Sequence, residues 1–120
     1  MNLLDTPDVL FLERYLDLTS YRQTLVAANL ANIDTPGYRT RDVPFHATLQ
    51  WASFSGFEAP LSPMPQPVYG LTERPDGNNV SLDREGLLLA QTQLQYKAAI
   101  EFIRSEFRTL HGAINDGVES

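Results

Sequence analysis

The side chains that could carry acid, base or metal chemistry in this sequence are few and scattered. The two histidines, His46 and His111, lie far apart without the spacing of metal ligands. Asp83 and Glu85 could be imagined as paired carboxylates, but both fall in the first turn of a predicted helix, where the helix dipole favours acids. Because catalysis needs a constellation of such groups, the sequence predicts no enzyme, no cofactor and no metal.

Two further polar stretches have ordinary explanations beside functional ones. Asp76-Gly-Asn-Asn79 offers oxygen ligands, but it lacks the spacing and the terminal bidentate Glu of a calcium loop, so a turn is predicted. Arg39 and Arg41 form a small basic spot in an acidic chain. They either pair with carboxylates on a neighbouring protein or are simply solvated, and both interpretations stay open.

Composition narrows the class of protein. The chain has 120 residues, a net charge of −6 and no cysteine, which indicates one domain at most and no disulfide framework. A nucleic-acid-binding face should be basic, and no apolar run approaches the length of a membrane span. The N-terminus lacks the basic and apolar regions of a secretory signal, which on its own would suggest the cytoplasm.

Two long helices are predicted at the two ends of the chain. The first begins at Thr6-Pro7-Asp8, with a cap, a first-turn proline and an acid, and ends near Ile33 because Pro36 disfavours helical geometry at Thr35. The second is capped by Ser81 and stops at Asn115-Asp-Gly117. Its apolar residues alternate steps of three and four, broken only by Gln93, and form a predicted coiled-coil seam of Leu89, Tyr96, Ile100, Ile103, Phe107, Leu110 and Ile114.

Residues 39–80 between these helices read as neither helix nor regular sheet. Six prolines punctuate the stretch, and short strands are possible within Val43–Trp51 or at Val68–Tyr69. Five apolar anchors distinguish it from a disordered linker; they are Phe45, Trp51, Phe54, Phe57 and Tyr69. We expect these anchors to dock on neighbouring subunits.

The predicted fold is mainly α: an elongated antiparallel pair of long terminal helices forming a coiled coil, with an extended proline-rich middle arm. The segments are residues 1–38, 39–80 and 81–120. Helices of about 40 and 50 Å are too long for a compact globule of this size, about 35 Å across. An isolated two-helix hairpin also buries little apolar surface, so the seam is expected to pack between chains.

A family resemblance follows from two blocks. Asn29-Leu-Ala-Asn-Ile-Asp-Thr-Pro-Gly-Tyr38 resembles the N-terminal signature of the bacterial flagellar axial proteins of the rod and hook, and Arg39-Thr-Arg-Asp-Val-Pro-Phe45 narrows this to the proximal rod. Asp76–Glu85 resembles that family's entry into its C-terminal helix. Many members carry another asparagine where this chain has Ala28. The predicted assembly motif is therefore Asn29, Leu30, Asn32, Thr35, Pro36, Gly37 and Tyr38, with Gly37 expected to tolerate substitution least.

The resemblance implies a structural subunit of the flagellar basal-body proximal rod. Such a subunit would assemble helically with itself and other rod proteins, link the motor ring to the distal rod, and transmit torque. The implied partners are other rod proteins, the base (MS) ring with its rod adaptor protein FliE, and the flagellar type III export apparatus. No nucleic acid, small-molecule substrate or membrane span is expected, and the location would be the periplasmic rod, reached without a cleaved signal peptide. The alternatives are the sister proximal rod protein FlgC, or a soluble coiled-coil export chaperone or regulator.

Overall fold

Two long helices dominate the computed structural model, which describes residues 6–119. They are α1 (Pro7–Ala31) and α3 (Leu82–Glu119), and between them lie strand β1 (Arg41–Asp42), helix α2 (Phe45–Ser53) and strand β2 (Gln66–Pro67). The two strands pair antiparallel. Residues 1–5 and Ser120 of the predicted terminal segments lie outside the described residues.

The long helices begin where their capping residues predict. The Thr6 hydroxyl accepts a hydrogen bond from the Val9 N–H at 3.3 Å, ahead of Pro7 in the first turn. The Ser81 hydroxyl accepts one from the Arg84 N–H at 3.2 Å. Each cap satisfies an N–H group that the helix itself leaves without a partner, so the two predicted starts are confirmed.

The predicted end of α3 at Asn115-Asp-Gly117 is wrong, because the helix continues to Glu119. Glycine ends a helix when it adopts the left-handed conformation, and Gly117 is not among the glycines with positive φ. The Asn115 side chain instead contacts His111, one turn earlier, at 3.2 Å. A stop signal in the sequence therefore has no effect here without a capping geometry.

The middle segment is more ordered than predicted. The Pro44 carbonyl accepts hydrogen bonds from both the N–H and the hydroxyl of Thr48, at 2.9 and 2.7 Å, which starts α2. The expectation of no helix in residues 39–80 is therefore wrong, and so is a strand within Val43–Trp51. The strand pair lies to either side of α2, and the Val68 N–H continues the pairing to the Thr40 carbonyl.

The core lies between α1 and the middle segment, which folds back on it. Its buried centre is Leu18, Leu25 and Val43, with Tyr21, Phe45, Leu49 and Leu61 packed around it. Phe45 meets the Tyr15 ring at 5.4 Å, and Phe57 meets Phe11 at 5.2 Å. Two of the five predicted docking aromatics are thus used within the chain. The other three stay exposed, with Trp51 at 74%, Phe54 at 78% and Tyr69 at 87%.

The molecule is long and thin. Its extents are 71 × 26 × 18 Å and its radius of gyration is 18.8 Å, against about 14 Å for a compact chain of this length. Asn29 meets Glu85 at one end of the pair, while Thr6 and Val9 line the same cavity as Leu110 at the other. This arrangement confirms the predicted elongated antiparallel pair. Within residues 6–119, no helix combines the length and hydropathy that a membrane crossing requires.

Candidate assembly site

The end of α1 meets the start of α3 at a polar joint, which we define as residues 29–42 and 74–85. Asn29 is buried at its centre. Its amide donates to the Arg41 carbonyl at 2.9 Å and to the Glu85 carboxylate at 3.1 Å. Its oxygen accepts from the Tyr38 hydroxyl at 3.0 Å and from the Arg41 N–H at 3.2 Å. One side chain therefore ties α1, the arm and α3 together, with all of its hydrogen-bonding capacity used.

Tyr38 reaches Asn29 because a tight turn reverses the chain. The Tyr38 N–H donates to the Thr35 carbonyl at 3.2 Å, and Gly37 has a φ of 76°, in agreement with the type II turn that Pro36-Gly37 predicts. Burial raises the pKa of the Tyr38 hydroxyl. The positive charge of Arg41 lowers this pKa, and the negative charge of Glu85 raises it. The hydroxyl therefore stays protonated and can donate to Asn29.

A second loop fastens the end of α1 from the other side. The buried Asn78 donates to the carbonyls of Asn32 and Thr35, at 2.9 and 2.8 Å. The Arg74 guanidinium bonds the carbonyl of Ile33 and, at 3.0 Å, that of Val80. These donors satisfy carbonyl groups at the helix end that lack a helical partner. The Asn32 amide caps the same end through the Ala28 carbonyl at 2.8 Å.

The two loops also touch through backbone atoms. The Gly37 N–H donates to the Asp76 carbonyl at 2.9 Å. Gly77 has a φ of 85°, and a Cβ placed on it would lie 3.3 Å from the Gly37 Cα. Beyond this contact, the buried Asn79 oxygen accepts from the Thr40 N–H at 2.6 Å. Residues 76–85 and residues 29–38, which are far apart in the sequence, thus pack together and form the joint.

An ion-pair network lies beside the amides. The Arg22 guanidinium forms a bidentate pair with the Asp42 carboxylate at 3.1 and 3.0 Å, and Arg84 reaches the same carboxylate at 2.7 Å. Arg84 also pairs with the buried Glu85 at 2.7 Å. Bidentate arginine pairs fix geometry as well as contributing energy, so the network orients α1, β1 and α3 relative to one another.

The Asp42 carboxyl is held in its charged form. Burial opposes ionisation, but hydrogen bonds from Arg22, the Val43 N–H and Arg84 outweigh it, and the pKa of Asp42 lies below its usual value. The Val43 N–H contributes at 2.7 Å. Hydrogen bonds to the charged form favour that form, so these donors stabilise the carboxylate against protonation.

Several joint residues escaped the sequence analysis. The sequence explains Glu85 by the helix dipole alone, yet it is buried against Asn29 and Arg84. For Asn78 the sequence predicts only a turn. Asp42 and Arg74, and Arg22 just outside the joint, carry no individual signal in the sequence, although Asp42 and Glu85 belong to the quoted blocks. Arg39, for which a partner was open, pairs with Glu73 at 3.4 Å in an exposed position.

The predicted seam lies beside the surface that α3 turns towards α1. The α3 residues buried most deeply are Glu85, Leu88, Thr92 and Ala99, and the seam residues Leu89 and Ile100 come one position after two of them. One position is roughly 100° around a helix. Leu89, Ile100, Ile103 and Leu110 are half-buried, whereas Tyr96, Phe107 and Ile114 are exposed. The role of the seam between chains stays a prediction.

The groups considered for chemistry are not brought together. His46, His111 and Asp83 are exposed; His46 lies on α2, and Asp83 and His111 lie far apart along α3. Among residues 6–119, no group of three or more His, Asp or Glu side chains is placed to hold a metal ion. The polar groups of the joint bond to one another, which is an arrangement suited to fixing geometry.

Comparison with known proteins agrees with the two-block pattern. A family model described as "Flagella basal body rod protein" matches residues 16–39, which include residues 29–39 of the joint. The flagellar basal body rod protein FlgB of Salmonella typhimurium is 30% identical over 127 aligned positions, covering 89% of this chain and 92% of that protein. FlgB of Bacillus subtilis is 30% identical, covering 88% and 92%, and FlgB of Escherichia coli K12 is 29% identical, covering 89% and 92%. The chain belongs to the FlgB family of flagellar basal body rod proteins.

Proposed function

We propose that this structural subunit of the flagellar basal-body rod uses its α1–α3 pair as an axial stem and its joint to set the angle of the arm. In this division of the chain, residues 1–38 and 81–120 supply the stem and residues 39–80 the arm. The joint supports this proposal because Asn29, Asp42 and Glu85 connect all three segments. The arm then presents Trp51, Phe54 and Tyr69 to neighbouring subunits.

The observation that carries the proposal is the apolar stripe left exposed along α3. Its members recur at helical spacing on one flank of the helix and are Leu82, Tyr96, Phe107 and Ile114. Large exposed apolar surfaces mark interaction sites, and an amphipathic helix gains most of its stability by burying such a stripe. Helical self-assembly and packing with related rod proteins would cover it. Heterologous contacts that do not close generate such assemblies.

We further propose the partners and the route that the family resemblance implies. The partners are other rod proteins, the base ring through FliE, and the type III export apparatus, and the site of action is the periplasmic part of the rod. A rigid joint suits this role, because torque passed along a rod must not be lost in bending between stem and arm. The sister protein FlgC and a soluble chaperone are the less favoured readings of the same stem.

Phe107→Asp tests the proposal. Phe107 is 47% exposed, so the charge should leave the isolated fold intact but oppose burial of the stripe in an assembly. We expect unchanged circular dichroism of the purified monomer, normal export, and loss of rod assembly and motility in cells that carry only this variant. Gln91→Asp is the matched control, since Gln91 is exposed on α3 away from the stripe. Normal motility with Phe107→Asp would refute the proposal.

A further inference from the structure

The side of α1 turned away from the core is an exposed ridge of small and acidic residues. Steps of three and four residues place them on one face, and all are exposed. We define this α1 outer ridge as Glu13, Asp17, Ser20, Thr24, Ala27 and Ala31. Leu18, Leu25 and Val26 are buried on the other sides of the helix. The ridge has acids in its first half and small residues in its second half.

The outer side of α3 carries the opposite features. Its exposed residues at helical spacing define the α3 outer ridge as Leu87, Ala90, Leu94, Lys97, Glu101, Arg104 and Arg108. Leu87 and Leu94 are large apolar side chains with 71% and 69% of their surface in solvent. The half beyond them is basic on balance, since three cations accompany Glu101, which pairs with Arg104 at 2.9 Å.

The two ridges match in an antiparallel register. Within the chain, Asn29 of α1 lies opposite Glu85 of α3. Because the two helices run antiparallel, the numbers of any two facing residues add up to about the same sum as 29 and 85. The same register between two copies places Ala27 opposite Leu87, Ser20 opposite Leu94 and Asp17 opposite Lys97. Large apolar side chains then fall on small ones, which permits close helix packing, and Asp17 falls on a base. Glu13 falls on Glu101, whose charge is balanced by its pair with Arg104 at 2.9 Å. Asp17 is already near Arg14, at 3.2 Å, but its side chain remains 59% exposed.

We propose that a second copy of this chain packs its α3 outer ridge against the α1 outer ridge of the first. The inference rests on the proposed rod function and names the contact by which identical subunits stack. Because the two ridges are different surfaces, a pair of copies leaves one ridge of each kind free, and the same contact can add further copies in an open assembly. A parallel α1–α1 contact between two copies would bring Glu13 and Asp17 of both copies together, and a parallel α3–α3 contact would do the same with the arginines.

Cysteine crosslinking tests the contact, because the sequence contains no cysteine. The variant carrying both Ala27→Cys and Leu87→Cys should, on mild oxidation, form a ladder of covalent dimers, trimers and larger species. The ladder should appear with concentrated purified chain or in basal bodies isolated from cells carrying the variant. A mixture of the two single variants should give a crosslinked dimer only. Ala27→Cys with Gln50→Cys is the control, since Gln50 is exposed on α2, and should give no ladder.

The experiment distinguishes failure of the ridge contact from failure of the proposed function. Motility of cells carrying the reduced single variants reports on the rod function, and the ladder reports on the ridge contact. A homodimer of Ala27→Cys alone would overturn the proposal, because it requires a symmetric contact. The proposal would also be overturned if the ladder were absent both from the concentrated purified chain and from basal bodies isolated from motile cells. Asp17→Lys should weaken association about two- to fivefold, as expected for an exposed ion pair, and Lys97→Asp in the same chain should restore it.

Discussion

At the scale of residues, the joint depends on side chains that no other type replaces. Asn29 gives two hydrogen bonds and receives two in a buried position. An aspartate would keep the acceptors but lose both donors, and it would set a second negative charge against Glu85. A glutamine would add a methylene to a site closed by Tyr38 and Arg41. Buried amides with all partners present specify one geometry, which is what a rod subunit requires of its joint.

Asp42→Asn should reduce both the stability of the chain and its sensitivity to acid. The lowered pKa of Asp42 means that its contribution is fully present above its unfolded pKa of about 3.9 and is lost as pH falls through the lower folded value. We expect a loss of about 2 kcal/mol at pH 7, the scale of hydrogen bonds to a charged group. Urea unfolding between pH 7 and pH 3 measures both effects.

Asp17→Asn is the control for that measurement, because its pair with Arg14 is exposed and should contribute less than about 1 kcal/mol. The original chain should lose stability below about pH 4 more steeply than the Asp42→Asn variant. If the free energy of unfolding fell equally steeply with pH in the original chain and in the Asp42→Asn variant, Asp42 would not be an acid-labile part of the joint.

At the scale of elements, local signals succeeded and long-range ones did not. Thr6 and Ser81 predict helix starts because a cap acts within three residues. Pro36-Gly37 predicts its turn because a turn is also determined by a few neighbouring residues. The burial of Glu85 depends on Asn29, fifty-six residues away, which no local pattern encodes. Helix α2 escaped prediction because it has only nine residues, directly after Pro44, and because it is fixed by the packing of Phe45 on Tyr15 and on the cluster around Leu18. The neighbours of Gly117 in the sequence do not determine its conformation, so the sequence alone predicts a helix end there that the structure does not have.

Gly77→Ala should be more damaging than Gly37→Ala, although the sequence singled out Gly37. Both glycines have positive φ, a conformation that costs other residues about 1–2 kcal/mol. Space around Gly37 would admit a Cβ, whereas the Cβ of an alanine at 77 would meet the Gly37 backbone at 3.3 Å. We expect a loss of about 1 kcal/mol for Gly37→Ala and a clearly larger loss for Gly77→Ala, measured by urea unfolding.

Gly112→Ala provides the matched control, because Gly112 lies inside α3 with open space for a Cβ. There alanine should stabilise the chain by about 0.5–1 kcal/mol through its better helix propensity. Equal effects of Gly37→Ala and Gly77→Ala would show that the loops separate readily, and the joint would then be less rigid than its contacts indicate.

At the scale of the whole molecule, stability is concentrated at one end. The joint lies where α1 finishes and α3 begins, and the core cluster adjoins it along α1 from Leu25 to Leu18. Towards its other end, α3 has only Ile103, Leu110 and Gly112 half-buried among residues 101–117. A helix is marginal in water without tertiary packing. The described chain therefore combines a fixed joint with a long helical end that has little of its own chain to pack against.

Hydrogen exchange should resolve this gradient along the free monomer. We expect the slowest amide exchange at residues 18–29 and 78–92, where Leu18, Asn29 and Thr92 are buried, and fast exchange at residues 104–117, since local opening there breaks few contacts. Dilution of the sample until the exchange pattern stops changing ensures that the monomer is observed. In isolated basal bodies the same amides at 104–117 should become protected, because neighbouring subunits then cover Phe107 and Ile114. Uniform protection along α3 in the dilute monomer would mean that the stem is fully ordered before assembly, and the apolar stripe would then bind neighbours as a rigid surface without any ordering step.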